Sequence, residues 1–382
     1  MFDSLISFIR DWYGTDGPIA LHEPRFGARD KELVLDAINS TFVSSVGAYV
    51  DRFEKDLAAY VGARRAVVTV NGTSALHVAL GLAGVRPGDE VITQPLTFIA
   101  TANAISYCQA SPVFVDVDRE TLGLCPRSLE RFLAERADRT ADGCINRTTG
   151  RRISAIVPMH TFGLPCHMDE LIRIGEAWGV AVVEDAAEAL GSTRGGRACG
   201  TFGRLGVYSF NGNKTITCGG GGAIVTDDEE VGRRAKHLTT VAKVPHRWEF
   251  VHDAIGYNYR MPNLNAALAC AQLEQIDAFL ADKRQTAEAY AAFFASCDWA
   301  SFIAEPVGCR SNYWLNAVQV KEPDLRDQLL AATNDAKIHT RPAWALMTDL
   351  PMYKECCCGD LSNARWLVQR VVNLPSSTRG AR

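Results

Sequence analysis

The chain has 382 residues, of which 47% are hydrophobic and 22% are charged, as in an ordinary globular protein. Its 40 Lys and Arg residues against 44 Asp and Glu residues give a net charge of −4, which excludes a general electrostatic binder of nucleic acids or membrane surfaces. An anionic ligand would therefore have to be bound by a local site. The length predicts two domains, or one large domain with an appendage.

Neither a membrane span nor a metal site is predicted. The longest charge-free run, residues 91–115, contains Gln94, Pro95 and other polar residues that a spanning helix avoids. The first residues lack a signal-peptide pattern, and we interpret them as the mature N-terminus of a cytoplasmic protein. The 12 cysteines include a cluster at 356–358 but no C-x-x-C pair, which indicates reduced thiols and no metal.

Short apolar strands alternate with helices in the first half of the chain. We predict strands at residues 66–70, 91–94, 113–115, 153–157 and 180–183, and helices at residues 73–83, 98–108 and 168–178. Strands that are apolar on both faces and separated by helices indicate an α/β fold with a mainly parallel sheet. The polar residues 136–152 are expected to form a surface excursion.

The pattern changes near residue 262. Residues 263–294 form a long Ala-rich run with apolar residues at helical spacing. A strand-like segment at 314–320 and helix-like segments at 324–332 and 362–371 follow. We predict an N-terminal extension of residues 1–25, a large domain of residues 26–261, and a smaller C-terminal α+β domain of residues 262–382.

Two segments carry candidate reactive side chains. An apolar strand ends in Glu184 and Asp185, and ligands bind at strand C-termini in open α/β sheets; capping the next turn is the alternative role. Lys214 is the one formal charge between Arg204 and Asp227. A lysine in apolar, Gly-rich surroundings is a candidate nucleophilic amine, whereas most lysines are solvated surface charges.

A third segment, Asn71-Gly-Thr-Ser74, directly follows the first predicted strand. A Gly-Thr-Ser turn that opens a helix offers amide groups and two hydroxyls to an anion, although Thr and Ser are also ordinary helix caps. Phe98 is either a ring-stacking residue or a core aromatic. Phosphate cradle, ring partner, carboxylate and lysine are together what pyridoxal phosphate requires, because its ring nitrogen needs an acid and its aldehyde a lysine.

From about residue 20 to the end, the sequence resembles the sugar aminotransferases of the DegT/DnrJ/EryC1/StrS family. The resemblance is carried by Gly72-Thr-Ser-Ala-Leu76, Thr97-Phe-Ile-Ala-Thr101, Glu184-Asp-Ala-Ala-Glu188, Ser209-Phe-Asn-Gly-Asn-Lys214, Gly219-Gly-Gly-Gly222 and Gly256-Tyr-Asn-Tyr-Arg260. It implies the pyridoxal-phosphate-dependent aspartate-aminotransferase fold (fold type I). It also implies a homodimer with shared active sites and a role in making amino sugars for cell-surface polysaccharides.

The resemblance also implies roles for individual residues around the coenzyme ring. Lys214 would form the Schiff base and move a proton between coenzyme and substrate carbons. Asp185 would pair with the pyridine nitrogen, while Phe98 and Ala187 would cover the two ring faces. Glu188 stands where the family usually has Gln, and we expect it near the coenzyme hydroxyl or the substrate.

The resemblance also implies which residues would hold the phosphate of the coenzyme. Thr73, Ser74 and Ser209 would hold it within one chain. Asn258 would reach it from the partner subunit, so that each active site is shared. The candidates for contacts with the substrate are Arg260, His339, Arg341 and Tyr353.

Within the family, the sequence looks most like transaminases that make UDP-4-amino-4,6-dideoxy-N-acetylglucosamine in bacillosamine- and legionaminate-type pathways. That likeness rests on the Asn-Gly-Asn-Lys form before residue 215, on His22-Glu-Pro24 and on residues 44–54. It implies transfer of an amino group from glutamate to the 4-keto carbon of a UDP-linked 2-acetamido-2,6-dideoxy sugar.

Three alternatives remain open for the function. The acceptor could be a GDP- or dTDP-linked keto sugar. A sugar dehydratase of the same fold carries His at the lysine position, so Lys214 argues against that activity. A non-catalytic regulator that binds the coenzyme is disfavoured, because the chain is not basic and shows no DNA-binding appendage.

Overall fold

The computed structural model describes residues 1–379. Its α-helices are α1 (Asp3–Tyr13), α2 (Ala28–Asn39), α3 (Ala48–Val61), α4 (Gly72–Leu82), α5 (Ile99–Tyr107), α6 (Pro126–Arg136), α7 (Met168–Trp178), α8 (Glu229–Thr239), α9 (Asn263–Leu273), α10 (Ile276–Ala295), α11 (Pro323–Asp335) and α12 (Ser362–Val368). Short 3₁₀ helices cover Thr161–Gly163 and Met347–Asp349.

The strands form one large sheet, one small sheet and two minor ribbons. They are β1 (Arg65–Thr69), β2 (Glu90–Thr93), β3 (Ser111–Phe114), β4 (Ala137–Thr140), β5 (Gly143–Asn146), β6 (Arg152–Val157), β7 (Ala181–Asp185), β8 (Thr193–Arg194), β9 (Arg197–Ala198), β10 (Leu205–Ser209), β11 (Gly222–Thr226), β12 (Lys243–Val244), β13 (Val251–His252), β14 (Ala300–Phe302), β15 (Cys309–Arg310), β16 (Asn316–Val320), β17 (Arg341–Pro342) and β18 (Val371–Leu374).

The large sheet has the strand order β1-β11-β10-β7-β6-β2-β3, and the β4–β5 hairpin is attached to the start of β6. Strands β10, β7, β6, β2 and β3 are parallel, whereas β11 is antiparallel to both of its neighbours. Strand β1 therefore runs in the same direction as the parallel strands. The carboxyl ends of β1, β2, β7 and β10 consequently lie at one edge of the sheet, where ligands bind in α/β folds.

Helices cover both faces of this sheet, and strand β10 shows how the sequence assigns them. Val207 packs into a cluster with residues of α4 and α8. Tyr208 and Phe210 pack into a different cluster with residues of α3 and α9. Successive strand side chains point to opposite faces, so an apolar residue at each position requires a helix layer on each side. The predicted α/β class with a mainly parallel sheet is confirmed.

The structure differs most from the sequence predictions in three segments. The run at 263–294 is two helices, because α9 ends at Leu273 before α10 begins. The helix predicted to residue 371 ends at Val368, since Val371 is drawn into β18 by pairing with Gln319 of β16. Residues 136–152 are a paired β-hairpin rather than an irregular excursion, because Cys144 pairs with Ile153 at the start of β6.

The small sheet has the order β14-β16-β18-β17 and is antiparallel throughout. Helix α1 packs on it, because Leu5 and Ile9 are fully buried in one cluster with Tyr290 of α10 and Val318 of β16. The division into domains at residues 25 and 261 stays a prediction. All twelve cysteines are free thiols. None of the helices within residues 1–379 has the length and apolar character needed to cross a membrane.

Candidate active site

A cavity of about 320 Å³ opens at the edge where β1, β7 and β10 end, and we call it the strand-end cavity. Most of the residues predicted for the coenzyme line it, namely Thr73, Phe98, Asp185, Ala187, Glu188, Ser209 and Lys214. These residues lie at the ends of four separate strands or in the connections that follow them. The parallel order of the strands therefore brings together residues that are up to about 140 positions apart.

One end of the cavity is suited to an anion. Helix α4 begins at Gly72, after the two residues that follow β1, and Asn71 caps it by accepting a hydrogen bond from the Ser74 amide at 2.7 Å. The first amides of a helix have no acceptor within the helix and carry the positive end of its dipole. The Thr73 and Ser209 side chains lie beside them on the cavity wall. This end can hold a phosphate group through amides and hydroxyls.

The glycine run before β11 allows this close approach. A Cβ on Gly222 would lie 2.4 Å from the Asn71 carbonyl carbon, so a side chain there would push the start of α4 away. A Cβ on Gly221 would lie 2.5 Å from Cys218 Sγ. The glycine run thus packs its backbone against the start of α4. The Thr73 and Ser209 hydroxyls, which line the cavity, belong to α4 and β10.

Asp185 is the last residue of β7 and is 5% exposed. Its Oδ2 accepts a hydrogen bond from Thr101 Oγ1 at 2.7 Å, and its Oδ1 accepts one from the Ala187 amide at 3.2 Å. These donors fix the orientation of the carboxylate at the cavity wall. A fixed carboxylate in this place can stabilise a positive charge on a ring nitrogen.

The neighbouring Glu184 has a structural role instead. Its side chain points to the other face of the strand, where its carboxylate accepts hydrogen bonds from the amides of Gly200 at 2.8 Å and Gly203 at 2.7 Å. The His160 ring nitrogen Nε2 lies 3.1 Å from the same carboxylate, and both side chains are fully buried. Of the two acids at the strand end, only Asp185 lines the cavity.

Lys214 lies in the connection between β10 and β11, and its side chain is 12% exposed. Its Nζ atom is 3.3 Å from Glu188 Oε1 and 4.1 Å from the centre of the Trp314 ring. The carboxylate and the indole face both attract the ammonium group. The amine is therefore held at the cavity wall rather than in solvent.

Glu188 is almost fully buried, with an exposure of 3%. Its Oε2 accepts a hydrogen bond from the Phe162 amide at 2.9 Å. Burial raises the pKa of Glu188 to about 7, and this rise is opposed by the nearby Lys214 ammonium. The carboxyl group is therefore able to exchange a proton near neutral pH, which a Gln at this place could not do.

Two of the residues predicted for the coenzyme do not line the strand-end cavity. Ser74 is buried in the first turn of α4. Asn258 is exposed, and its Oδ1 accepts hydrogen bonds from the Arg260 side chain at 3.2 and 3.3 Å. Phe98, by contrast, lines the cavity with 49% of its surface exposed, so it is not a core aromatic. The individual roles of all these residues stay predictions.

Sequence reasoning missed several residues of the site. Trp314 was expected to begin a strand, but it precedes β16 and donates from its indole to the Asn213 carbonyl oxygen at 2.6 Å. Trp344 lies on the cavity wall, and its ring centre is 6.2 Å from that of Phe98. Thr101 stands out in the sequence only as part of a motif. No local pattern signals these contacts, because they join segments that are distant in sequence.

The donor set as a whole fits pyridoxal phosphate. It offers helix amides and hydroxyls to a phosphate, a fixed carboxylate to a ring nitrogen, and a primary amine to an aldehyde. The three groups border one cavity and are not scattered over the surface. These groups are the ones that the sequence predicts for the coenzyme, and their roles stay predictions.

Comparisons with known proteins identify the family of the chain. The family model described as "DegT/DnrJ/EryC1/StrS aminotransferase family" matches residues 24–380. The chain is 37% identical over 337 residues to a GDP-perosamine synthase of Escherichia coli O157:H7, which covers 88% of this chain and 87% of that protein. It is 34% identical over 363 residues to a GDP-perosamine synthase of Caulobacter vibrioides, and the match covers 94% of this chain and 93% of that protein.

A solved structure shows the same fold. The aminotransferase TlmJ of Streptoalloteichus hindustanus superposes with a TM-score of 0.85 and 28% identity, covering 94% of each chain. The match therefore spans the large sheet, the small sheet and the cavity between their connections. The chain belongs to the DegT/DnrJ/EryC1/StrS aminotransferase family and is a pyridoxal-phosphate-dependent sugar aminotransferase.

Proposed function

We propose that the enzyme transfers an amino group from glutamate to the 4-keto carbon of a nucleotide-linked 4-keto-6-deoxy sugar. The observation that carries this proposal is the meeting of Lys214 and Asp185 at one cavity with the anion-binding start of α4. Amino-group transfer needs an amine that moves protons and a carboxylate that stabilises positive charge, and these two residues provide them.

When bound, the coenzyme supplies the carbonyl that captures the amino group and the ring that takes up electrons. Asp185 would hold a proton on the ring nitrogen, because its two oxygens are already oriented by Thr101 and the Ala187 amide. The Lys214 amine would move the proton at the substrate carbon. Glu188, 3.3 Å from that amine, would take up or return a proton as the charge of Lys214 changes.

The nucleotide of the acceptor is the open part of the proposal. GDP is favoured by relatives named GDP-perosamine synthase that align with 88% and 94% of this chain. The motif likeness described above favours a UDP-linked 2-acetamido sugar instead. Both acceptors carry the ketone that the chemistry requires, so the choice concerns recognition and not mechanism.

A panel of GDP-, UDP- and dTDP-linked 4-keto-6-deoxy sugars with glutamate tests the proposal. We expect release of 2-oxoglutarate and a product whose mass shows replacement of the ketone by an amine. The kcat/KM values for the three sugars show which nucleotide the enzyme prefers. Loss of water from the sugar without 2-oxoglutarate would indicate a dehydratase and overturn the proposal. No release with any sugar would overturn the substrate class.

We also propose that the enzyme works as a homodimer in which Asn258 serves the partner's site. This proposal is supported by the position of Asn258, which is exposed and does not line the strand-end cavity of its own chain. Mixed dimers of Lys214→Ala with an inactive Asn258 variant should regain activity, since one site of each dimer then keeps both residues. Verified subunit mixing without recovery would show that the site is built within one chain.

A further inference from the structure

A second cavity of about 460 Å³ adjoins the strand-end cavity. The two share Asn213, Trp314 and Trp344 as wall residues. The second cavity is further lined by segments from both ends of the chain, including His22 and Asn373. Once a coenzyme fills the smaller cavity, the second one is the neighbouring space from which a substrate could approach Lys214.

Two residues that line the second cavity, His22 and Asn373, carry buried polar atoms that the protein leaves unpaired. Neither ring nitrogen of His22 has a hydrogen-bond partner within residues 1–379, and both atoms are buried. The same is true of the Asn373 side-chain oxygen. Buried polar groups without partners are costly, so their presence beside a cavity indicates that a ligand supplies the partners.

These unpaired groups are neutral. Burial, with the nearby positive charges of Lys283 and Lys214, holds the pKa of His22 well below its ordinary value. A neutral imidazole offers one donor and one acceptor, and an amide oxygen offers an acceptor. A hydroxyl group can donate a hydrogen bond to the Asn373 oxygen and accept one from the protonated nitrogen of His22. A carboxylate would instead leave the Asn373 oxygen and one His22 nitrogen facing another acceptor.

The rest of the wall also suits a sugar. The indoles of Trp314 and Trp344 and the ring of Phe162 present flat apolar surfaces, against which the C–H face of a pyranose can pack. The charged residue that lines the cavity, Arg341, is exposed, and one of its guanidinium nitrogens donates to Asn334 Oδ1 at 3.0 Å. Its remaining donors can meet the phosphates of a nucleotide at the rim.

We propose that the second cavity binds the hexose ring of the acceptor, with its hydroxyl groups on His22 and Asn373 and its keto carbon directed toward Lys214. This inference rests on the proposed function. It makes His22 a specificity-determining residue for the sugar and gives it no part in the reaction with glutamate.

The test separates the two half-reactions of the holoenzyme. In His22→Leu, we expect the glutamate half-reaction, followed by coenzyme absorbance and 2-oxoglutarate release, to stay within about twofold of wild type. The second-order rate constant with the GDP- or UDP-linked keto sugar should fall about 10- to 100-fold, the effect of losing hydrogen bonds to a substrate. His22→Gln keeps a donor and an acceptor and should recover part of that rate.

The same substitution at an exposed histidine, His246→Leu, is the matched control and should leave both half-reactions unchanged. If His22→Leu does not fold, His22→Ala gives the same readout. An equal fall in both half-reactions, or no fall in the sugar half-reaction, would overturn the inference. A wild-type enzyme that does not react with glutamate at all would instead overturn the proposed function.

Discussion

The strand-end cavity and the second cavity lie side by side but are assembled differently. Most residues of the first lie at the ends of parallel strands or in the connections that follow them, so their places are set by the sheet. The second joins Leu21 and His22 to residues 341–345 and to Asn373, which are more than 300 positions away. Chemistry common to a family can therefore be encoded in local motifs, whereas recognition of one substrate depends on how distant segments pack.

The largest effect is expected at Lys214, where the strand-end cavity would lose its amine. Lys214→Ala removes the nucleophile and the proton carrier together, so turnover should fall by about 10³-fold or more. Lys321→Ala, at an exposed lysine outside both cavities, should keep wild-type turnover. Steady-state assays of both variants decide this, and normal turnover in Lys214→Ala would show that another amine performs the reaction.

The next effect sharpens the contrast by changing charge without changing shape. Asp185→Asn keeps the size and shape of the side chain. It removes the negative charge that stabilises a protonated ring. We expect the coenzyme to stay bound and the glutamate half-reaction to slow about 100-fold or more. Stopped-flow absorbance measures this rate, with Asp298→Asn as an exposed control. An unchanged rate would mean that a different acid has this role.

A smaller effect concerns Lys283, which supports the wall between the cavities. Its fully buried Nζ donates to the backbone carbonyls of Ser376 at 2.6 Å, Trp314 at 3.2 Å and Tyr313 at 3.4 Å. Burial lowers the pKa of Lys283 from 10.5 to about 7. Above pH 7 the unfolded state therefore binds more protons at this residue than the folded state does, so the contribution of Lys283 to stability rises with pH.

Urea unfolding at several pH values measures this contribution. Relative to Lys283→Met, the free energy of unfolding of the wild type should rise by roughly 2 to 3 kcal/mol between pH 7 and pH 9. A difference that stays constant over this range would mean that the buried lysine keeps its ordinary pKa.

The smallest effect is expected at Glu188 and has the opposite sign. Its pKa is raised from 4.5 to about 7, so between these values the folded state holds a proton that the unfolded state has lost. In the coenzyme-free protein, wild-type stability relative to Glu188→Gln should fall by roughly 2 kcal/mol as pH rises from 5 to 7. Parallel pH curves for the two proteins would show that Glu188 is ionised throughout.

The residues of the two cavities can be predicted from the sequence to different extents. Asp185, Lys214 and Thr73 follow strands that are readable from their apolar runs, and the parallel sheet brings such residues to one edge. Trp314 and Asn373 carry no comparable signal, because their positions follow from the packing of α10, β16 and β18 around Lys283. The end of α12 was misplaced for the same reason, since strand pairing overrides a helical pattern near a chain end.

Chemical trapping shows which residue binds the coenzyme, and we expect it to be Lys214. Borohydride reduction of the loaded enzyme, followed by proteolysis and mass spectrometry, should place the reduced coenzyme on the peptide that contains Lys214. The same treatment of Lys214→Ala should give no modified peptide. An adduct found on another lysine, or an equally labelled Lys214→Ala protein, would show that Lys214 does not bind the coenzyme.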